Sequence, residues 1–188
     1  MKIEEVSPNT LAGSFSNDLI IRKIWAVDEL EKIAKKFQTI YILGSWYGNM
    51  GFIINKTSSI KYDVMINIDI DSRPLQTSKV VYKKAGIENV RFLRKDANNL
   101  SYQNAGNLNL VINTSVNNMH GSQWFDNIPS GSLVLFQGRN NDPGATNEFH
   151  NLSDFKKSFK LSKLLYAGKI TLTSNNDDFD SFMIIGIK

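Results

Sequence analysis

The stretch Thr39–Lys56, TIYILGSWYGNMGFIINK, decides how the whole chain is read. Its first five residues, Thr39 to Leu43, are rich in β-branched and apolar side chains and predict a buried strand. Gly44 ends that strand, Ser45, Trp46 and Tyr47 make a turn of mostly bulky residues, and Gly48 opens a helix. Such a junction lets the backbone approach a ligand closely and aims the free N–H groups of a helix N-terminus at it. Glycines at strand ends are also ordinary turn punctuation, so the junction alone assigns no ligand.

Further strand-like runs follow: YDVMINID (62–69), VRFLRK (90–95), NLVIN (109–113) and GSLVLFQ (131–137). Helical patterns alternate with them. In SRPLQTSKVVYKKAG, Pro74 suits a first helical turn and Gly86 the position just past the helix end. The alternation predicts an α/β fold with a mostly parallel sheet and helices on both faces. Upstream, SNDLIIRKIWAVDELEKIAKKF (16–37) carries Ile20, Ile24, Val27, Leu30, Ile33, Ala34 and Phe37 at helical spacing, and Asp28 with Glu31 predicts a capping box that restarts the helix. At the other end, AGKITLTS (167–174) and FDSFMIIGIK (179–188) are too close for a crossover helix, which predicts an antiparallel hairpin. A single domain is expected: an N-terminal helical segment, 1–38, covering the active face, and an α/β unit over 39–188.

Composition narrows the function classes. The 188 residues, 41% hydrophobic, suffice for one substantial core. The net charge of +4 comes from dispersed lysines and arginines, without the basic block of a nucleic-acid tail. The absence of cysteine excludes disulfides, thiolate metal sites and a cysteine nucleophile, and fits a reducing, cytoplasmic compartment; no metal site is expected. The polar start MKIEEVSPNT is unlike a signal peptide, and no apolar stretch nears the ~20 residues of a membrane span, so no membrane partner is expected.

Asp69 ends the second strand run, 21 positions after Gly48, close to the ~20-residue spacing at which a carboxylate accepts from both ribose hydroxyls of an adenosine ligand. Asp71 competes, but strand alternation favours Asp69; Ile70 lies between them. Asp96 and Ala97 follow the third run, where an acceptor and a small side chain suit an adenine edge. Asn113, Thr114 and Ser115 end the fourth, at the mouth of the same crevice. Each has an alternative as a helix cap.

YILGSWYGN, MINIDIDSRPLQTSK, VRFLRKDANNL, LVINTSVNNM, SGSLVLFQG and FMIIGIK together make the chain resemble, over about residues 39–188, the class I S-adenosylmethionine-dependent methyltransferases. The resemblance implies a seven-stranded Rossmann-like sheet whose last strand is inserted antiparallel, and S-adenosylmethionine as cofactor. It gives the glycine turn, Gly44 to Gly48 with Ser45, Trp46 and Tyr47, to the methionine part, Asp69 to the ribose, and Asp96 with Ala97 to the adenine. Two positions depart from the family turn, which carries an acid and a glycine where this chain has Ile42 and Trp46. Trp46 and Tyr47 either wall the cofactor pocket or fill it.

His120, just past the fourth strand, is the candidate base for an O or N acceptor, with His150 second. Arg22, Lys23 and Trp25 on the first helix could meet an anionic or planar acceptor; a solvated helix face is the alternative. A small-molecule acceptor is expected ahead of nucleic acid or protein, and the polar stretch 138–150 is a candidate lid. Three other classes stay open: a nicotinamide oxidoreductase, although Gly44, Gly48 and Gly51 miss its Gly-x-Gly-x-x-Gly spacing; a non-catalytic nucleoside-binding relative; and a transferase of another group from the same cofactor.

Overall fold

The structure, a computed structural model, describes residues 13–103, 106–142, 144–174 and 177–188; the polar start of the chain, Pro143 of the candidate lid and residues 1–12 of the helical segment lie outside them. The described elements run α1 (Asn17–Ile33), β1 (Lys36–Leu43), α2 (Asn49–Thr57), β2 (Lys61–Asp69), α3 (Ser72–Lys84), β3 (Val90–Arg94), β4 (Asn109–Asn113), α4 (Gln123–Asp126), β5 (Leu133–Arg139), α5 (Leu152–Lys157), β6 (Lys163–Ser174) and β7 (Asp177–Ile187). Three short 3-10 turns, Ala97–Asn99, Gly106–Leu108 and Val116–Asn118, flank β4 and follow β3.

Seven strands form one sheet in the order β3-β2-β1-β4-β5-β7-β6. The first five are parallel, and β7 runs antiparallel between β5 and β6, as the C-terminal hairpin predicted. Strands β1, β4 and β5 are buried over most of their length because both faces of the sheet are covered. Tyr41, Leu43, Val111, Val134 and Phe136 meet Trp124, Phe125, Phe155 and Phe159 on one face; Ile40, Ile42, Leu110, Ile112 and Leu135 meet Ala26, Val27 and Leu30 of α1 and Met50, Ile53 and Ile54 of α2 on the other. The alternation of Ile40, Tyr41, Ile42 and Leu43 between faces fixes the register of the central strand.

Two local expectations are corrected. Helix α1 runs without interruption through Asp28, which is exposed, because Ala26, Val27 and Leu30 hold its buried stripe on the sheet. Glu31 caps nothing in its own helix: its carboxylate accepts from the backbone N–H and hydroxyl of Ser59 at 2.6 and 2.7 Å. The helix also stops at Ile33, so Phe37 belongs to β1.

Order reverses between β1 and β4, the place where an open α/β sheet forms its crevice beyond the strands' carboxyl ends. Helix α3 reaches toward that crevice through Tyr82, which is buried against Phe52 and Phe92 and whose hydroxyl donates to the Gly48 carbonyl. Burial pushes the Tyr82 phenol far above its ordinary pKa, so it stays a donor. Tyr82→Phe keeps the ring contacts and removes that bond; urea unfolding is expected to show a loss of about 1 kcal/mol.

Candidate functional site

The turn after β1 has glycine-like backbone at three positions: Gly44 (φ 59°), Trp46 (φ 49°) and Gly48 (φ 74°). Left-handed geometry at a tryptophan costs about 1–2 kcal/mol, and two hydrogen bonds fasten the turn there. The Trp46 N–H donates to a carboxylate oxygen of Asp69 at 2.7 Å, and the Ser45 N–H donates to the Ile68 carbonyl at 2.9 Å. The other Asp69 oxygen accepts from the Asp71 N–H at 2.9 Å. A carboxylate has about four acceptor positions, so Asp69 keeps capacity toward solvent. On the β4 side, Ser115 donates its hydroxyl to the Gly44 carbonyl at 3.0 Å, and the fully buried Asn113 accepts from the Ser115 N–H at 2.9 Å.

Two concavities open on this turn. The wider, about 420 Å³, is lined by Gly44, Trp46, Asp69, Ile70, Asp96, Ala97, Ser115 and His120 among the predicted residues. Ile70 is 67% exposed at its rim. Asp96 caps the 3-10 turn behind it, accepting from the Asn98 N–H at 2.9 Å. The narrower cavity, about 210 Å³, is lined by Gly44, Ser45, Trp46, Tyr47, Thr114 and Ser115 together with Arg22 and Lys23 of α1. Gly48 and Asn113 border neither directly and act through the backbone and Ser115.

The structure separates the two histidines from the α1 side. His120 is exposed on the wider concavity beside Asp69 and Asp96, and exposed His150 lines neither. Trp25 turns away to Tyr166 on β6, donating its indole N–H at 3.3 Å. Sequence reasoning missed Asn98 and Met119 in the wider concavity and Asn117 in the narrower, which Arg139 and Asp142 also line. Arg139 and Asp142 belong to the polar stretch 138–150 that the sequence offered as a candidate lid, although neither residue was singled out there. Asn117 fastens that stretch: its amide donates to the Arg139 and Asn147 carbonyls at 2.9 and 3.0 Å, and accepts from the Arg139 N–H at 2.9 Å.

Charge is concentrated in the narrower cavity. Burial, and then Arg139 nearby, lower the Arg22 guanidinium to a pKa of about 10, with Asp18 and Asp142 opposing. Burial and Arg22 lower Lys23 to about 8, with Asp18 opposing. Among the described residues, no cluster of three His, Asp or Glu could hold a metal ion, and no helix is long and apolar enough to cross a membrane.

No protein-family model matches the sequence, and no curated protein matches it. Solved structures match by shape. The N-methyltransferase NodS from Bradyrhizobium japonicum WM9, solved with S-adenosyl-L-homocysteine, superposes with a TM-score of 0.69 at 11% identity, over 98% of this chain and 94% of that one. The chain shares the fold of that N-methyltransferase. YcgJ from Bacillus subtilis matches at TM-score 0.67 and 10% identity over 88% of this chain and 98% of that one. The cyclase SpnF matches at 0.70 and 8% identity, over 90% and 80%.

The Asn117 bracket gives this site a direct test. Asn117→Ala removes three hydrogen bonds from a buried position and should cost about 2–3 kcal/mol in urea unfolding. Hydrogen exchange should rise first at the Arg139 amide, which loses its acceptor.

Proposed function

We propose that the protein is an S-adenosylmethionine-dependent methyltransferase acting on a small-molecule acceptor. The observation that carries the proposal is Asp69: a carboxylate at the carboxyl end of β2, bonded to the glycine turn and facing the wider concavity with acceptor capacity to spare. In this reading Asp69 holds the ribose hydroxyls, Asp96 and Ala97 meet the adenine, and the turn from Gly44 to Gly48 with Ser115 takes the methionine end. The fit has a further support. The Ser45 hydroxyl is buried without a partner on the wall of the cavity, as a donor awaiting a ligand would be.

Bound there, the cofactor supplies a sulfonium methyl group open to in-line attack. The chain's contribution is to position the acceptor and keep water out. Tyr47, Met50 and Leu19 give the narrower cavity apolar walls, and its volume of about 210 Å³ lies below the roughly 300–1,000 Å³ of drug-sized ligand sites, which favours a small acceptor. His120 stands with the ribose and adenine residues, an argument against its serving as the base. SpnF, named a cyclase, has the same fold, so the fold by itself does not choose the reaction.

A nucleoside-binding relative that transfers nothing is the second reading. Trp46 favours it, since this bulky residue borders both concavities where the family turn has a glycine. Calorimetric titration with S-adenosylmethionine, S-adenosylhomocysteine, adenosine and NAD separates the readings. The two sulfur ligands should bind tightest and NAD not at all; adenosine binding as well as either sulfur ligand would favour the second reading. Asp69→Ala should weaken S-adenosylhomocysteine by about 1.5–3 kcal/mol, and a melting curve beside it would show how much of that loss comes from the freed Trp46 turn.

A further inference from the structure

Arg22 is 5% exposed, yet its Nε has no hydrogen-bond partner, and its guanidinium makes no ion pair among the described residues. Arg139, at the end of β5, differs: it donates to the Asn141 carbonyl at 2.7 Å, lies 3.7 Å from Asp142 and covers the Phe179 ring. Lys23, half-buried beside Arg22, likewise has no acceptor of its own among the described residues. Three cations and one carboxylate therefore line a cavity of about 210 Å³, and the most deeply buried of the cations has no partner among the described residues. A charge withdrawn from water without a partner is costly, and a counter-anion offsets that cost.

We infer that this cavity seats an anionic group, a carboxylate or phosphate of the small acceptor, on the guanidinium of Arg22 and the ammonium of Lys23. That the anion belongs to an acceptor rests on the methyltransferase reading. The cofactor's methionine end, at the turn, also carries a carboxylate, but the ammonium beside it cancels that charge and leaves the excess of Arg22, Lys23 and Arg139 over Asp142 without a counter-charge. An anion without that companion fits the cavity's charge better. A guanidinium matches the two oxygens of such a group in one plane, and Lys23 adds a point charge from the next position of α1.

Sulfate is the probe, titrated calorimetrically into the wild type, Arg22→Met and Lys23→Met, with and without saturating S-adenosylhomocysteine. Sulfate should bind the wild type, and Arg22→Met should lose about tenfold or more, the scale of a charge-assisted bond. Arg22→Met should melt at or above the wild-type Tm, since an apolar side chain replaces an unpaired buried charge. Should it fail to fold, Lys23→Met decides, with a several-fold loss expected. Lys23 is surrounded by Asp18 and Arg22 on its own helix, Arg139 at the end of β5, Asp142 beyond it, and the Tyr47 phenol. Sulfate affinity should fall as pH rises through about 8, where Lys23 loses its proton, and Lys23→Met should flatten that fall.

Equal sulfate binding by wild type and variants, or none by the wild type, overturns the inference. So does displacement of sulfate by S-adenosylhomocysteine, which would give the cavity to the cofactor's carboxylate. If S-adenosylhomocysteine fails to bind while sulfate binds in an Arg22-dependent way, the methyltransferase reading falls and the anion site stands.

Discussion

The carboxylate of Asp69 ties the end of β2 to the turn that leaves β1, and the shape of the crevice depends on that tie. It accepts from the Trp46 N–H, at a residue whose backbone sits in the left-handed region that tryptophan seldom adopts. The Ser45 N–H to Ile68 bond and the Ser115 hydroxyl on Gly44 complete the clamp from β2 and β4. Behind it, the Tyr82 hydroxyl holds the Gly48 carbonyl, and Gly51 brings α2 so close that a methyl group there would stand 2.5 Å from both the Met65 sulfur and the Tyr82 hydroxyl. The turn is thus held from the ends of two strands, β2 and β4, and from helix α3.

Much of the fold was legible because burial on both faces leaves a plain signal. NLVIN forms β4 at the expected bounds, Pro74 lies in the first turn of α3, Gly86 follows its end with φ 65°, and the close C-terminal runs pair antiparallel. Boundaries failed where local signals conflicted with packing. Lys36 and Gln38 are exposed, so the start of β1 shows no apolar run, and the Asp28–Glu31 pattern competes with a helix stripe that tertiary contacts hold continuous. Similarly, Gly131 with φ 85° belongs to the turn before β5, which delays that strand to Leu133.

The site was legible in proportion to how far its parts act through strand ends. Gly44, Asp69, Asp96 and Ser115 stand at or just past the carboxyl ends of β1, β2, β3 and β4, and their positions follow from topology. The Asn117 bracket spans 22 and 30 residues through side chain to backbone bonds, which leave no periodic trace. Arg22 did leave one. It precedes Ala26 by four residues and Leu30 by eight, so it falls on the buried stripe of α1, although charge alone had suggested a solvated face.

Among the described residues the sheet ends at β3 on one side and β6 on the other, and an open edge invites pairing with another chain. Arg91 and Arg94 are exposed along β3, and Lys163 and Lys169 along β6. A register irregularity between Leu164 and Tyr166 further bends β6 where Leu164 and Leu165 are exposed. Like-charged, kinked margins repel one another, and this hinders the molecules from joining edge to edge into fibrous stacks while the crevice at the strand ends stays accessible.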